Sequence, residues 1–221
     1  MKKVLLAVVC GGLFSTQALA ADVDYFVGGG LGGQFADAKM FEGYDPIKEP
    51  RFEDDFDSLD KTSGAMNFHV RGGAIIDNTH RFTFTINHAG DDKLSNYSED
   101  GYSETLELKQ LEFLVSYDYM YGLTNDVSVF GGVSLGSVKN QYTWTDSDTE
   151  GTSKDKIKST DLAAGLQVGA QYKINDNWST DLTYRHMFSS MDEKLDHGEG
   201  YYEKYEVNGH GSLTLSVDYR F

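Results

Sequence analysis

The sequence predicts an all-β protein: an eight-stranded antiparallel up-and-down transmembrane β-barrel with four long extracellular loops. Three observations predict it. Eight segments alternate apolar and polar residues with period two. The connections between them are short and long in strict alternation. Beyond the first twenty residues no apolar run approaches the length of a membrane helix.

Residues 1–20 read as a signal peptide. Met1-Lys2-Lys3 is a short basic region, Val4 to Phe14 is apolar apart from small residues, and Ala18-Leu19-Ala20 supplies the small-x-small pattern of a cleavage site. The domain is therefore expected to occupy 21–221. Removing the first 20 of 221 residues leaves 201, a normal size for one domain, and with Lys2 and Lys3 gone the formal net charge moves from −16 to −18. A lipoprotein reading of Cys10 fails because it lies early and follows the bulky Val9. Cleavage removes this one cysteine, so the mature chain is expected to be stabilised without disulfides.

In chain order, segment 23–35 puts Val23, Tyr25, Val27, Leu31 and Phe35 on one face. Met66, Phe68, Val70, Ala74 and Ile76 oppose Asn67, His69, Arg71 and Gly73, and Phe82, Phe84 and Ile86 oppose Arg81, Thr83, Thr85 and Asn87. Leu111, Phe113, Val115, Tyr117, Tyr119 and Tyr121 alternate with Gln110, Glu112, Ser116 and Asp118. Segment 127–144 carries Val127, Val129, Val133 and Leu135, and the next runs from Leu162 to Ile174 against Asp161, Gln167, Gln171 and Lys173. Trp178, Leu182, Tyr184 and Phe188 oppose Ser179, Asp181, Thr183 and Arg185. The final segment alternates Leu213, Leu215, Val217, Tyr219 and Phe221 with Ser212, Thr214, Ser216, Asp218 and Arg220.

Asp77 to His80, Gly122 to Asp126 and Asn175 to Asn177 are short turn-forming pieces, whereas 36–63, 90–106, 145–159 and 191–206 are long, polar and charged. An outer-membrane barrel sorts its connections in this way, with tight periplasmic turns, long outer loops and periplasmic termini. A soluble β-sandwich also alternates along its strands, but it has no reason to sort loops by parity. The polar faces are expected to line a side-chain-filled interior and the apolar faces to meet lipid. Tyr25, Phe82, Tyr119, Tyr121, Tyr172, Trp178, Tyr219 and Phe221 gather near the inferred periplasmic ends, as interfacial aromatics do.

The signal peptide, the glycine-rich Phe26 to Gly33 and the ending Ser216-Val217-Asp218-Tyr219-Arg220-Phe221 resemble small outer-membrane barrels of the OmpA/OmpX type. The resemblance implies that Phe221 and Tyr219 form part of the signal read by the barrel-assembly machinery. It also implies contact with outer-membrane lipid and lipopolysaccharide. The family hosts structural barrels, adhesins and a few lipid A enzymes, so fold alone does not fix function.

Two regions carry the functional reading. Counting residues from the inferred periplasmic ends puts Arg71, Glu112, Gln167 and Arg185 at similar depth in the interior, with Asp118, Asp181, Lys173, Asp218 and Arg220 lower. Charges in a narrow lumen need opposite partners, so a salt-bridge plug is expected from Arg71, Glu112, Arg185, Asp181, Asp118, Asp218 and Arg220. Glu112 is the expected partner of Arg185, with Asp181 next. The alternative is an ion path gated by the same charges. Outside the barrel, 36–63 holds nine acidic residues against four basic, and 191–206 six against two. Plain solvation accounts for such runs. The sharper readings are cation bridging to lipopolysaccharide phosphates, or docking of a basic surface or phage protein. Glu53-Asp54-Asp55-Phe56-Asp57 offers hard oxygen ligands but lacks the spacing and glycine of an EF-hand loop.

Lipid A deacylases of this barrel class use a His-x-Ser arrangement. Here Arg185-His186-Met187-Phe188-Ser189-Ser190 places serine three or four residues after His186, so the motif is not met. No phosphate-binding glycine loop, metal-ligand cluster or nucleic-acid-binding basic patch is present in the sequence, and no cofactor is expected. The sequence thus reads as a non-enzymatic outer-membrane barrel with a structural or surface-interaction role, in adhesion or envelope integrity. A narrow porin-like channel is the alternative, and a lipid A-modifying enzyme the third reading.

Overall fold

The computed structural model describes residues 22–44, 63–99, 102–147, 151–188, 191–198 and 201–221. The expected signal segment with Cys10, and the acidic stretch around Glu53, lie outside the described residues. The strands are β1 (Val23–Tyr44), β2 (Ser63–Ile76), β3 (His80–Glu99), β4 (Tyr102–Gly122), β5 (Val127–Ser147), β6 (Thr152–Lys173), β7 (Trp178–Phe188), β8 (Met191–Gly198) and β9 (Tyr201–Arg220). Each pairs antiparallel with the next, except that β7 and β8 both pair with β9, so they form two pieces of one stave. Pairing of β1 with β9, from Phe26↔Arg220 onward, closes the ring. The architecture is the expected eight-stranded up-and-down barrel.

The three short turns explain their residues. Thr79 N–H bonds Ile76 C=O at 3.0 Å, and the central Asp77 and Asn78 take φ of 52° and 53°. That left-handed pair matches the twist of a tight hairpin, and Asp and Asn tolerate it better than most residues. The other two turns share one device. Thr124 Oγ1 accepts from Asp126 and Val127 N–H at 3.3 and 3.0 Å, and Asn175 Oδ1 accepts from Asn177 and Trp178 N–H at 3.0 and 2.9 Å. A short side chain replaces a backbone partner at each bend.

Burial is inverted relative to a water-soluble protein. Among the described residues, 26 buried polar or charged side chains outnumber 11 buried apolar ones, while Met66, Val70, Val115, Leu135, Leu162 and Leu166 are exposed. A soluble protein does not present such a continuous apolar girdle to water. On β6 the outward apolar face spans ten residue steps from Leu162 to Tyr172. At about 3.3 Å per residue and a tilt of about 40°, this is about 25 Å tall, the height of a lipid-facing band.

Two features position the interior. The inward face of β1 is Gly28, Gly30 and Gly32, where a Cβ would strike the backbone of β9 and, at Gly28 and Gly30, the side chains of Asp218 and His69. The glycines let the closing strands meet and leave room for those two polar groups. On β9, Gly209 takes φ +113°, facing the Met187 carbonyl at the point where β7 gives way to β8. An L side chain is strained there, and the irregularity divides the stave.

The structure differs from expectation in the connections. The segments 90–106 and 145–159 are largely strand, since β3 and β4 pair to Glu99↔Tyr102 and β5 and β6 to Ser147↔Thr152. Beyond the lipid band both faces of a ribbon meet water, so the ladder persists while the apolar alternation that reveals it fades.

The fold predicts heat-modifiable migration: unboiled protein in SDS runs ahead of boiled protein, and equal migration with a non-β circular dichroism spectrum contradicts the barrel. Gly30→Val is expected to reduce the fast-migrating form and lower stability to urea by about 1–3 kcal/mol. Gly33→Ala, whose Cβ meets only the Phe35 ring at 3.8 Å, is expected to migrate as the parent.

Candidate functional site

The inward residues stack in layers. At the end holding the short turns, Phe26, Ile75, Met120 and Phe130 form a buried apolar floor. This layer falls outside the expectation of a polar lining. Arg81 lies over the Phe130 ring at 4.0 Å and Arg71 over the Phe26 ring at 6.0 Å, so the floor carries the first cations of the layer above.

That layer is a connected ionic cluster. Arg71 forks onto Asp218, Nε to Oδ1 at 2.9 Å and Nη2 to Oδ2 at 2.6 Å, and Nη2 also donates to Asp181 Oδ2 at 2.9 Å. Arg81 donates to Asp118 Oδ2 at 2.9 Å and to Asp181 Oδ2 at 2.5 Å. Asp181 therefore bridges two guanidinium groups, and its other oxygen accepts from Gln171 Nε2 at 2.9 Å. Two glutamines extend the cluster. Gln171 accepts from Arg220 at 2.5 Å, and Gln167 donates to Asp118 at 2.5 Å while accepting from Arg185 Nε at 2.8 Å and Ser134 at 2.9 Å. Arg220 also faces Asp24 at 3.7 Å. Side chains of Arg81, Asp118, Asp181 and Asp218 are at most 2% exposed. Charges so desolvated persist only when paired and hydrogen-bonded as these are.

Further toward the ribbon end, Glu112 meets His210 Nε2 and accepts from Asn87 Nδ2 at 2.9 Å. Gln34 donates to Gln110, which donates to Asn140 at 2.7 Å. Between these layers is a polar cavity with room for about one water-sized species, bordered by His69, Thr85, Thr183, Arg185 and Thr214. His69 Nε2 lies 3.0 Å from Ser216 Oγ.

The geometry brings together Arg71, Asp181 and Asp218 directly, Asp118 through Arg81, and Arg220 and Arg185 through glutamine amides. Glu112 is hydrogen-bonded to none of them; its direct partners are His210 and Asn87. Among the described residues Arg185 makes no ion pair, and its bond to Gln167 replaces the expected pairing with Glu112. Arg81 was not among the residues expected in the cluster, yet it is central to it. Its register partner across β3 and β4 is Asp118, which is the signal that points to it. His210 and Gln171 were missed as well, and both lie at inward parity.

The outward residues singled out by sequence lie at the two rims. Tyr219 and Phe221 join an aromatic group along the closing seam: Phe221 stacks near Tyr25 at 6.4 Å and Tyr219 at 6.5 Å, and Tyr219 meets Trp178 edge-on at 5.1 Å. The Phe221 amide donates to Tyr25 C=O at 3.0 Å. His186 packs its ring against Phe188 at 4.7 Å and His88 against Phe68 at 5.1 Å. Ser189 and Ser190 lie outside the described residues. Among the described residues no cluster of three His, Cys, Asp or Glu is arranged to hold a metal.

The profile of the family described as outer membrane protein beta-barrel domain matches residues 6–221. Solved structures of similar fold include the outer membrane protein OprG of Pseudomonas aeruginosa, at 14% identity and TM-score 0.56, covering 91% of this chain and 97% of that one. Neisserial surface protein A is similar at 14% identity and TM-score 0.54, over 90% and 99% of the two chains. A major outer membrane protein of Thermus thermophilus is similar at 17% identity and TM-score 0.51, over 90% and 100%. At these identities the likeness speaks for the fold. No curated protein sequence matches the chain.

The bridging position of Asp181 makes a ranking testable. Asp181→Asn is expected to destabilise the refolded barrel by about 3–5 kcal/mol, since it weakens the pairing of Arg71 and Arg81 together. Arg185→Ala, losing one hydrogen bond from a charged donor, is expected to cost about 1.5–3 kcal/mol. Urea unfolding in detergent measures both, and the reverse order contradicts the assignment of Asp181 as the hub.

Proposed function

Because the chain belongs to the outer membrane protein beta-barrel family, we propose that it is a non-enzymatic outer-membrane barrel whose role is structural and surface-interacting. In this reading the short turns and both chain ends face the periplasm, and the ribbons β3–β4, β5–β6 and β8–β9 project from the cell. The observation that carries the reading is the lumen. An apolar floor of Phe26, Ile75, Met120 and Phe130 is capped by the Arg71–Arg81–Asp181 cluster, and the polar cavity above them has room for about one water-sized species. A wall with so little lumen offers its surface for function, and the porin-like alternative would need the cluster to break.

The acidic outer segments are the proposed contact surface, through attraction to a basic surface or phage protein. Tyr219 and Phe221 are assigned to recognition by the barrel-assembly machinery, supported by their exposed positions at the seam. The outward His186, packed on Phe188, carries no argument for hydrolysis.

The test pairs conductance with binding. In planar bilayers the protein is expected to give no steady ion conductance; a steady current altered by Asp181→Asn overturns the closed-lumen reading. Replacing 45–62 by a short neutral turn is expected to leave unboiled migration intact, because closure entropy changes slowly with loop length. Attachment of cells displaying the shortened protein to a histone-coated surface should fall to background. Attachment of the intact form should weaken as salt shortens the Debye length below ~8 Å. Equal attachment of the two forms rejects the acidic segment as the contact.

A further inference from the structure

We infer that the outward face of β4, β5 and β6, just above the lipid-facing band, binds phosphate groups of lipopolysaccharide through Lys109, Lys139, Lys154, Lys156 and Lys158. The inference rests on the membrane orientation proposed above. It differs from the acidic-segment reading in residues, in sign of charge and in the absence of a bridging cation.

Strand parity assembles the patch. On β6 the outward residues are those at even positions, so the lipid-facing Leu166 and Leu162 are followed on the same face by Thr160, Lys158, Lys156 and Lys154. The three lysines are exposed and stand about 7 Å apart along the strand. The register places Lys109 of β4, Gln141 of β5 and Lys158 of β6 in one row, and Leu111, Lys139 and Thr160 in the row nearer the band. Adjacent strands lie about 4.8 Å apart, so Lys109 and Lys158 flank Gln141 at about 10 Å. The next row, Glu107, Thr143 and Lys156, places a carboxylate between Lys109 and Lys154. Among the described residues of these rows, five lysines thus sit with one glutamate in a chain whose formal net charge is −16.

Height identifies the occupant. Leu111 and Leu162 are the last apolar residues of the band on β4 and β6, and the lysines begin two to four residues beyond them. Lys139 leans back toward the band, with Nζ 5.3 Å from the centre of the Phe113 ring, the posture of a cation at the hydrocarbon boundary. Anionic groups at that level on the outer face of the membrane are the phosphates of the lipid headgroups. Clustered lysines at a membrane surface attract such groups as point charges. Protection of an open strand edge is the competing explanation, since β6 between Thr152 and Ala163 pairs only with β5 among the described residues. It accounts for the lysines of β6. It does not account for Lys139, whose strand is paired on both sides.

The experiment uses the full protein in detergent with EDTA present. The probes are lipopolysaccharide with intact lipid A phosphates and the same material after chemical dephosphorylation. The parent is expected to bind the phosphorylated form at least ~10-fold more tightly, with affinity falling as salt rises. A variant combining Lys139→Gln, Lys154→Gln, Lys156→Gln and Lys158→Gln, folded by its unboiled migration, should lose that preference. Equal binding of both probes by the parent overturns the inference, as does binding that appears only with calcium. If the fourfold variant does not fold, Lys154→Gln with Lys156→Gln replaces it, and an undiminished preference in that pair overturns the role of β6. Orientation is read separately by labelling Lys156→Cys on intact cells with a membrane-impermeant maleimide. No labelling overturns the orientation and this inference with it, whereas labelling without phosphate preference overturns this inference alone.

Discussion

Hydrocarbon offers no water to the peptide group, and this constraint sets the terms for every other part of the molecule. A strand in the bilayer must find its hydrogen bonds in a neighbour, so the sheet has to return to its first strand. Here β1 meets β9 along an inward face of Gly28, Gly30 and Gly32, with no side chain between the closing backbones. Once that register is set, Asp218 comes within reach of Arg71 and Ser216 within reach of His69. The polar interior is thus a consequence of closure as much as of the residues that fill it.

A small barrel then has to fill its own inside, and the chain does so with unlike layers. Apolar contact closes the short-turn end, and above it the guanidinium groups of Arg71 and Arg81 share Asp181. Gln167 and Gln171 suit the gaps because one amide donates and accepts at once. Each meets a carboxylate with its nitrogen and an arginine with its oxygen. Replacing either glutamine by a carboxylate would set two like charges side by side in a medium that screens poorly.

Most of the fold was legible because the bilayer writes itself into each stave. Leu213 to Phe221 and Leu162 to Ile174 alternate with a regularity that only a two-sided environment imposes, and the parity of every stave could be assigned from it. The cluster was less legible. Depth counted from a turn ignores strand tilt and stagger, so Arg185 and Glu112 looked level although Arg185 meets Gln167 and Glu112 meets His210. Arg81 sits one residue into β3, placed on the polar face but not in the expected network, and its long side chain reaches Asp118 and Asp181. The ribbons beyond the band were read as loops because 90–106 and 145–159 are polar and charged on both parities, without the apolar alternation that marks a lipid-facing stave.

Above the band the ring formed by the described residues is no longer continuous. Among the described residues, β8 pairs only with β9, the outer part of β6 only with β5, and the outer part of β3 only with β4. The barrel is therefore a rigid hoop carrying a split collar with two leaves, β3 to β6 and β8–β9–β1. A residue inserted in one leaf has no ladder by which to shift the register of the other, and none by which to unpick the hoop. Each leaf is consequently free to change length and sequence on its own, and the surface that meets the outside can diversify at a pace the membrane-embedded staves cannot share.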